Sequence, residues 1–333
     1  MIIALTGVCG FIGRQVAENL LRAGHWVYGI DAETYAADLD VPKYLAKLEE
    51  NDITRITGMW EIPATKFGVF KYIKADIAEL KHLPDVDMVI NLAAETHVDN
   101  SITDPARFIH SNVMGTHNLL ELVRAKRAYT MPHFVQISTD EVYGSISSLK
   151  QSAEDDALNP SSPYAASKAS ADLLVQAYHK TFDVQYTIIR PSNCYGPYQY
   201  PEKLIPKAVR HLVLGKKIPV HGDGCMKRSW VHVNDLVEAI LTIIGEEDYN
   251  QIYTVPGEVM KVSGVLIGLI AEHSGSTGNR PDEFCEFDFI RKGIDDHYDV
   301  AGKRLKDLGW KREHNLNVEF KNLYNHFAAS TRF

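Results

Sequence analysis

Two pairs of side chains near the middle of the chain could carry out chemistry together. Asp140 and Glu141 are adjacent carboxylates, and Tyr164 and Lys168 follow further along the chain with a spacing of four residues. A tyrosine beside a lysine can remove a hydroxyl proton while hydride leaves the same carbon. Two further carboxylates can supply an acid and a base, which simple hydride transfer does not require. The four residues together indicate oxidation coupled to elimination.

The spacing of Tyr164 and Lys168 explains how the tyrosine could act as a base. Residues four apart on a helix lie one turn above each other, so the ammonium can lie near the phenol. A phenol has an ordinary pKa of about 10, and a nearby ammonium together with a cationic nicotinamide ring would favour its phenolate. Any amphipathic helix can carry Tyr and Lys at this spacing by chance, so the interpretation depends on a cofactor site elsewhere in the chain.

Asp140 and Glu141 are predicted to titrate as a pair. Two close carboxylates do not readily ionise together, so the pKa of one rises and that group stays neutral as an acid. Because such a pair titrates jointly, the two residues alone do not reveal which one is the acid. An Asp-Glu dipeptide also commonly forms a turn or a helix cap. Its position directly after Ser138 and before the Tyr164 helix favours the catalytic interpretation.

The beginning of the chain has the pattern of a phosphate-binding turn. Residues 1–6 form a short apolar run typical of a buried parallel strand, and residues 11–24 have helical periodicity. Gly7, Gly10 and Gly13 permit a tight turn, a close approach of the backbone to a pyrophosphate, and close packing of helix on strand. Phosphates would meet the free N–H groups of the helix N-terminus. A glycine triplet alone is often only a surface turn.

The element that follows identifies the expected cofactor. Residues 25–30 predict a second strand, which ends at Asp31. A carboxylate at this position accepts hydrogen bonds from an adenosine ribose and repels a 2′-phosphate. Strand, glycines, helix, strand and acid in this order therefore predict an NAD site rather than an NADP site.

Composition limits the classes of function. The chain has 333 residues, 45% of them hydrophobic, with a formal net charge of −8, which argues against nucleic acid as a partner. No segment is long enough to cross a membrane, and residues 1–8 lack the basic flank of a signal peptide. The four cysteines are Cys9, Cys194, Cys225 and Cys285, which lie far apart in the sequence. We expect a reducing cytoplasm, no disulfide framework and no metal site.

Strands alternate with helices over roughly the first 190 residues. Further strand candidates are 70–75, 87–92, 133–138 and 185–190, and helical stretches lie near 105–127 and 163–182. This alternation predicts an α/β fold, a Rossmann-type doubly wound parallel sheet with ligands at the carboxyl ends of its strands. Residues 32–69 are too long for an ordinary connection and predict an insertion with one or two short helices.

The rest of the chain predicts a smaller, mixed α/β substrate lobe. We expect residues 1–190 to form the NAD-binding domain, with 225–247 returning to it, and 191–224 and 248–333 to form the lobe. Terminal packing helices are predicted near 302–310 and 316–327. Lys203 and Arg228 could hold a diphosphate, although for either residue alone a solvated surface cation is the more common explanation.

Six motifs in the chain match the sequence pattern of a known protein family. They are Gly7-x-x-Gly10-x-x-Gly13, residues 91–99, residues 138–144, Tyr164-x-x-x-Lys168, residues 190–197 and residues 201–206. They resemble the extended short-chain dehydrogenase/reductases, and among these the dTDP-glucose 4,6-dehydratases. The Thr139-Asp140-Glu141 element is the most discriminating, because related sugar epimerases lack the paired acids and UDP-glucuronate decarboxylases usually have Ser-Glu there.

The resemblance implies an NAD-retaining homodimer that acts on a nucleotide sugar. It implies that Asp140 is the acid, Glu141 the base and Tyr164 the base for oxidation, with Lys168 beside it and Thr139 and Asn193 orienting the sugar or its linkage. The expected cofactor contacts are Gly7, Gly10, Phe11, Ile12, Gly13, Asp31, Asp76, Ile77, Leu92, Ala93, Ala94, Ser138, Tyr164 and Lys168. The expected substrate contacts are His97, Thr139, Asn193, Lys203, Leu204, His221, Arg228 and Arg291.

The sequence departs from the family pattern in the substrate lobe. His221 replaces a frequent Tyr, Ser229 a frequent Asp, Val259 a frequent Asn, and residues 291–294 differ from the usual Arg-Pro-Gly-His. The nucleotide therefore stays open among dTDP, UDP, CDP and GDP. A related epimerase or decarboxylase, and more distantly a non-catalytic NAD-binding regulator, are the alternative functions.

Overall fold

A computed structural model describes residues 1–48, 68–127, 130–147, 150–246, 248–276, 281–289, 293 and 295–330. In chain order its strands are β1 (Ile2–Thr6), β2 (Trp26–Asp31), β3 (Phe70–Lys74), β4 (Met88–Asn91), β5 (His133–Ile137), β6 (Tyr186–Pro191), β7 (Asn193–Tyr195), β8 (Ile218–His221), β9 (Lys227–His232), β10 (Gln251–Val255), β11 (Glu258–Lys261) and β12 (Cys285–Phe289). The α-helices are α1 (Phe11–Arg22), α2 (Val41–Lys47), α3 (Val98–Thr103), α4 (Pro105–Phe108), α5 (Gly115–Arg124), α6 (Pro163–Phe182), α7 (Leu204–Val213), α8 (Val233–Gly245), α9 (Val262–Ser274), α10 (Pro281–Phe284), α11 (Lys303–Asp307) and α12 (Leu316–Ala328).

Seven parallel strands form the main sheet, in the order β10-β6-β5-β4-β1-β2-β3. Side chains alternate between its two faces, because successive residues of a strand point in opposite directions. Ile3 and Leu5 belong to a hydrophobic cluster that includes α1 and α8. Ala4, between them, belongs to a second cluster that includes α5 and α6. The predicted Rossmann-type sheet with helices on both faces is confirmed.

The smaller part of the molecule has its own core. β7, β9 and β11 form a three-stranded sheet, and β8 pairs with β12. A separate hydrophobic cluster joins α7, α9 and α12 around buried side chains such as Leu212, Leu269 and Leu323. Among the described residues, no helix is long and apolar enough to pass through a membrane.

One part of the predicted lobe lies in the main sheet instead. β10 pairs with β6, although its residues fall within 248–333, which the sequence assigned to the lobe. Leu305 and Trp310 also pack in the cluster on the main sheet. The run that forms β10 is only five residues long and pairs with a strand more than sixty positions earlier, so local periodicity does not reveal it.

Of two other predicted segments, one differs from the prediction and one agrees with it over the described residues. The helix predicted near 105–127 is interrupted by a wider π-helical segment, Ile109–Met114, between α4 and α5. Such segments frequently occur at functional sites. The predicted insertion contains α2, and its residues 49–67 lie outside the described residues.

Candidate active site

A cavity of about 380 Å³ opens at the carboxyl ends of the parallel strands. Its wall includes the residues that follow the strands, such as Gly7 after β1, Leu92 after β4 and Ser138 after β5. This is the position at which open α/β sheets bind ligands. Every residue expected from the sequence to contact the cofactor lines this one cavity.

The glycine turn forms a cradle that larger residues would fill. Gly7 has a φ of +71°, and a Cβ there would lie 2.8 Å from the nitrogen of Ala93. A Cβ on Gly13 would lie 2.0 Å from the carbonyl oxygen of Gly7. Gly10 is the N-cap of α1 and offers no side-chain cap, so the first N–H groups of the helix are not satisfied by a capping side chain. The chain therefore offers at this cradle the donors that a pyrophosphate requires.

Asp31 is held at the end of β2 by the backbone. One of its oxygens accepts a hydrogen bond from the Cys9 N–H at 2.9 Å, and the other accepts from the Glu33 N–H at 2.8 Å. Burial raises the pKa of the Asp31 carboxyl, while these two hydrogen bonds act in the opposite direction. Each oxygen keeps a second lone pair, so the carboxylate can still accept from a ribose hydroxyl.

Tyr164 and Lys168 are positioned by the start of α6. The Ser162 hydroxyl caps the helix by accepting a hydrogen bond from the Ala165 N–H, and Pro163 occupies the first helical turn. The Lys168 Nζ donates to the carbonyl oxygen of Ile137 at 2.6 Å. Tyr164 and Lys168 are both buried and both line the cavity.

The surroundings of these two residues shift both pKa values. The pKa of the Tyr164 phenol is raised far above its ordinary value. Burial is the largest cause, and the negative charge of Glu141 is the second. Burial lowers the pKa of Lys168 to about 8. The protein alone thus opposes formation of the phenolate. A base at Tyr164 requires additional positive charge in the cavity.

The acid pair lies on a tight turn that follows β5. Thr139 caps this turn by accepting from the Glu141 N–H at 3.3 Å, and its hydroxyl donates to Asp140 Oδ1 at 3.3 Å. Asp140 is 2% exposed, and its Oδ2 has no hydrogen-bond partner. Burial and the neighbouring Glu141 raise the pKa of Asp140 well above its usual range. The structure thus favours a neutral Asp140, which is the state that an acid needs.

A buried polar network behind the site was not predicted. Asp172 accepts hydrogen bonds from Arg190 Nε and from the Ser138 hydroxyl, each at 2.9 Å, and Arg190 also donates to the Tyr143 hydroxyl at 2.8 Å. The network joins α6, β6, the exit of β5 and the turn that carries Asp140. The sequence does contain a signal for it. Asp172 lies one helical turn beyond Lys168, and Arg190 is a charge within an otherwise apolar strand.

Three of the expected substrate contacts besides Thr139 line the cavity, namely Asn193, Lys203 and Leu204. The Lys203 Nζ donates to the carbonyl oxygen of Thr96 at 2.8 Å, and burial lowers the pKa of this lysine. The Asn193 Nδ2 is buried without a hydrogen-bond partner. A buried donor without a partner is costly and is a natural contact for a ligand oxygen.

Three other expected substrate contacts, His97, His221 and Arg228, are described by the structure and do not line the cavity. His97 caps α3 with its ring, and the His221 ring lies 3.5 Å from Asp99. Arg228 is buried and donates to the carbonyl oxygens of Lys227 and Asp295. These two acceptors offset the cost of burying its guanidinium group. Arg291 lies outside the described residues.

Several cavity residues were missed by the sequence analysis. They are polar or aromatic side chains of the substrate half together with one buried carboxylate: Glu95, Gln199, Tyr200, Glu202 and Trp230. Glu95 forms an ion pair with Arg107 at 2.7 Å. Residues 199–202 directly precede the expected contact Lys203, and this proximity was the available signal.

Comparison with known proteins places the chain among enzymes of this architecture. The family model described as the NAD dependent epimerase/dehydratase family matches residues 3–255. The chain is 35% identical to the dTDP-glucose 4,6-dehydratase of Xanthomonas campestris pv. campestris strain B100, over 92% of this chain and 87% of the relative. It is also 35% identical to the low-salt glycan biosynthesis protein Agl12 of Haloferax volcanii, over 94% of each chain.

Solved structures give the same result for the fold. DesIV, a dTDP-glucose 4,6-dehydratase from Streptomyces venezuelae crystallised with NAD and TYD, has a TM-score of 0.83 at 31% identity, over 98% of this chain and 97% of DesIV. A UDP-glucuronic acid 4-epimerase from Bacillus cereus has a TM-score of 0.84 at 24% identity, over 98% of this chain and 99% of the epimerase. Because dehydratase and epimerase superpose equally well, overall shape does not separate the two reactions. The chain belongs to the NAD dependent epimerase/dehydratase family of extended short-chain dehydrogenase/reductases.

Proposed function

We propose that this protein catalyses the NAD-dependent 4,6-dehydration of dTDP-glucose to the 4-keto-6-deoxy sugar. The observation that carries the proposal is that buried Asp140 and its neighbour Glu141 line the same cavity as Tyr164 and Lys168. Hydride transfer needs only the last two residues. A dehydration also needs an acid for the departing hydroxyl and a base for the neighbouring C–H proton. The relatives named dTDP-glucose 4,6-dehydratase support the choice of sugar nucleotide.

The first half of the proposed reaction oxidises C4 of the sugar. Tyr164 takes the proton of the C4 hydroxyl. NAD, when bound, supplies the hydride acceptor for C4, the donor for C6 and a positive charge in the cavity. Lys168 has a pKa of about 8, so it remains mostly protonated at neutral pH and also favours the phenolate. Its hydrogen bond to Ile137 fixes that charge in the cavity wall.

The second half eliminates water across C5 and C6. The ketone at C4 acidifies the C5–H bond, and Glu141 removes that proton. Asp140 donates its proton to the departing C6 hydroxyl, which its raised pKa makes possible at neutral pH. When C6 accepts the hydride, Glu141 returns a proton to C5. The proton that Tyr164 gained from the C4 hydroxyl then replaces, directly or through solvent, the proton that Asp140 gave to the departing hydroxyl.

The substrate is proposed to lie against the second wall of the cavity. Asn193 would donate to a sugar or linkage oxygen through its unpartnered Nδ2, and Lys203 would place its charge near the diphosphate. Leu204 would pack beside it. His97, His221, Arg228 and Arg291 remain proposed contacts for the nucleotide.

A homodimer in the cytoplasm is also proposed. Large apolar side chains are exposed on packed helices at one side of the molecule: Ile102, Ile109, Met114, Leu173 and Phe182. A second copy of the chain would cover this face. The four cysteines are free thiols, which suits a reducing compartment.

Isotope tracing tests the proposed reaction. Glucose nucleotide with deuterium at C4 should give product with deuterium at C6, and in heavy water C5 should gain solvent deuterium from the exchangeable Glu141. An epimerase would return the label to C4, a decarboxylase would make no 6-deoxy sugar from a glucuronate, and a non-catalytic protein would leave the substrate unchanged. Loss of the C4 label to solvent would refute the closed cycle.

A nucleotide panel tests the sugar nucleotide. Turnover of dTDP-, UDP-, CDP- and GDP-glucose should be measured side by side, and dTDP-glucose should have the highest kcat/KM. A higher value for any other nucleotide would leave the reaction standing and correct the substrate.

A further inference from the structure

The connection between β2 and α2 lies along the wall of the cavity. We call residues 32–40 the strap. Four of its residues line the cavity: Ala32, Thr34, Ala36 and Ala37. The Asp38 N–H donates to the carbonyl oxygen of Cys9 at 2.8 Å, which ties the strap to the glycine turn. The strap therefore forms a wall of the dinucleotide half of the cavity.

The base of the strap is held firmly. Glu33 has a φ of +54°, a conformation that a residue with a side chain adopts at a cost. Its carboxylate accepts from the Tyr72 hydroxyl at 3.0 Å and pairs with Lys74, so β3 holds this conformation in place.

The middle of the strap is joined to the opposite wall through Tyr35. The Tyr35 hydroxyl donates to a Glu202 carboxylate oxygen at 2.8 Å and accepts from Asn100 Nδ2 at 3.3 Å. Its ring meets the ring of Tyr200 edge to face, with centroids 5.5 Å apart. Tyr200 and Glu202 line the cavity from the substrate side. One hydroxyl thus bridges the two sides of the cavity.

A second tie lies at the far end of the strap. The Arg14 guanidinium is 3.5 Å from Asp38 of the strap. It also lies over the rings of Tyr44 and Tyr198, 4.6 Å and 3.9 Å from their centroids. Tyr198 belongs to the same substrate-side segment as Glu202. The middle and the far end of the strap are therefore both joined to that segment.

We propose that the strap retains the bound dinucleotide between turnovers, and that Tyr35 and Glu202 form the latch that keeps it closed. The inference rests on the proposed function in one respect. A cofactor reduced in the first half of the reaction and reoxidised in the second has no reason to leave. The glycine cradle and four residues of the strap line the same cavity. On this proposal the dinucleotide departs only after the strap moves.

The test measures release of NAD in the absence of substrate. Protein loaded with NAD is freed of excess cofactor and mixed with an NAD-hydrolysing enzyme that destroys released NAD, and bound NAD is quantified over time. The variants are Tyr35→Phe, Glu202→Gln and the double variant. Tyr324→Phe is the matched control. The Tyr324 hydroxyl of the wild type hydrogen-bonds the His273 ring at 2.8 Å, and the two residues lie on α12 and α9 of the substrate lobe.

Tyr35→Phe should release NAD about tenfold faster, which corresponds to about 1.4 kcal/mol. This free energy is near the lower end of the range expected for the net contribution of a hydrogen bond to a charged group, since the bond is partly exposed. Glu202→Gln keeps an acceptor but loses the charge, so its effect should be smaller. The double variant should match Tyr35→Phe, because no hydroxyl remains to donate to the side chain at position 202, and Tyr324→Phe should match the wild type.

Release of NAD from Tyr35→Phe at the wild-type rate would overturn the latch. It would also be overturned if the increase in release rate of the double variant were the product of the increases of the two single variants, because the two residues would then act independently. The outcome is separable from the proposed reaction. If the product analysis refutes dehydration while Tyr35→Phe still releases NAD faster, the latch stands without the dehydratase. If dehydration is confirmed and release is unchanged, the latch is wrong and the dehydratase stands.

Discussion

Asp140 and Tyr164 experience the same physical influence with opposite consequences. Burial and the charge of Glu141 raise the pKa of both groups. A raised pKa keeps Asp140 protonated and makes it a usable acid at neutral pH. The same shift makes Tyr164 a weaker source of phenolate. The site is therefore prepared for elimination by the protein alone, whereas oxidation depends on the charge that the cofactor brings.

Separate residues for the two half-reactions predict separable defects. Glu141→Gln should still oxidise C4, so reduced nicotinamide should accumulate on mixing with substrate while 6-deoxy product falls by about 10²–10⁴-fold. Tyr164→Phe should lose both signals. Rapid-mixing absorbance and product analysis measure the two steps. Normal turnover in both variants would show that the assignment of this site is wrong.

Asp31 makes a second prediction at the scale of one residue. The wild type should bind NAD at least about tenfold more tightly than NADP, a difference of about 1.4 kcal/mol or more. Asp31→Ser should reduce that preference, because the charge that repels a 2′-phosphate is gone. Asp76→Asn is the control for the preference. Asp76 is also an expected cofactor contact and accepts the Ala78 N–H, so any loss of affinity there should affect NAD and NADP alike and leave their ratio unchanged. Titration of the wild type and the two variants with NAD and with NADP measures this preference. Equal affinities of the wild type for the two cofactors would show that Asp31 does not contact the ribose.

At the scale of elements, the N-cap of α8 is a histidine. Protonation of this histidine should destabilise the first turn of the helix. His232 is the N-cap and accepts the Asn234 N–H at its Nδ1, and its ring stacks on His314 with centroids 4.1 Å apart. His314 in turn contacts Asp235 at 2.8 Å. Burial, and next the charge of His314, lower the pKa of His232 to about 4. A proton on Nδ1 would oppose the N–H that it caps.

The pH dependence follows from that shift. The folded pKa lies below the unfolded value of about 6.5, so the stabilisation is fully present above pH 6.5 and is lost as pH falls toward 4. The loss should approach about 3 kcal/mol. His232→Asn keeps a good N-cap but does not titrate, so its free energy of unfolding should fall less over this range. Urea unfolding at several pH values measures both proteins, and parallel profiles would contradict the prediction.

Local sequence patterns were sufficient for the elements around the cofactor. The apolar runs of β1, β4 and β5 are largely or fully buried, and the helix predicted near residues 163–182 is observed as α6. β10 and the Asp172–Arg190 network could not be assigned in this way. The isolated charge of Arg190 in an apolar strand and the position of Asp172 one turn beyond Lys168 are signals that something unusual lies there, but local periodicity does not identify which segments come into contact.

The same distinction applies to the site. Residues in motifs, such as Asp140 and Lys168, were expected in the cavity and line it. Arg228 was expected as a substrate contact, but the sequence could not show that Asp295 and Lys227 carbonyls would surround it. Its role in binding remains a prediction.

At the scale of the whole molecule, the order of the strands explains where the cavity lies. β1 lies between β2 and β4, and the chain continues from β1 toward one edge of the sheet and from β4 toward the other, so the connections that leave β1 and β4 diverge. The crevice between diverging connections receives the glycine turn, the exit of β4 and the acid pair after β5. The second core beneath α7 and α9 then supplies the wall that carries Asn193 and Lys203.

The helices on one side of the main sheet leave an apolar face, which predicts the oligomeric state. Leu173 on α6 is 56% exposed and Ile102 on α3 is 42% exposed, and the two helices pack together. A two-fold interface places each substitution in the complex twice. Leu173→Glu should therefore lose, twice over, the burial of the exposed part of one leucine, about 2–3 kcal/mol in total, and weaken the dimer about thirtyfold to a hundredfold. Val318→Glu is the control, because Val318 is 72% exposed but lies on α12 in the other core. Light scattering at micromolar concentration should find a dimer for the wild type and Val318→Glu and a monomer for Leu173→Glu, and a monomeric wild type would refute the proposed homodimer.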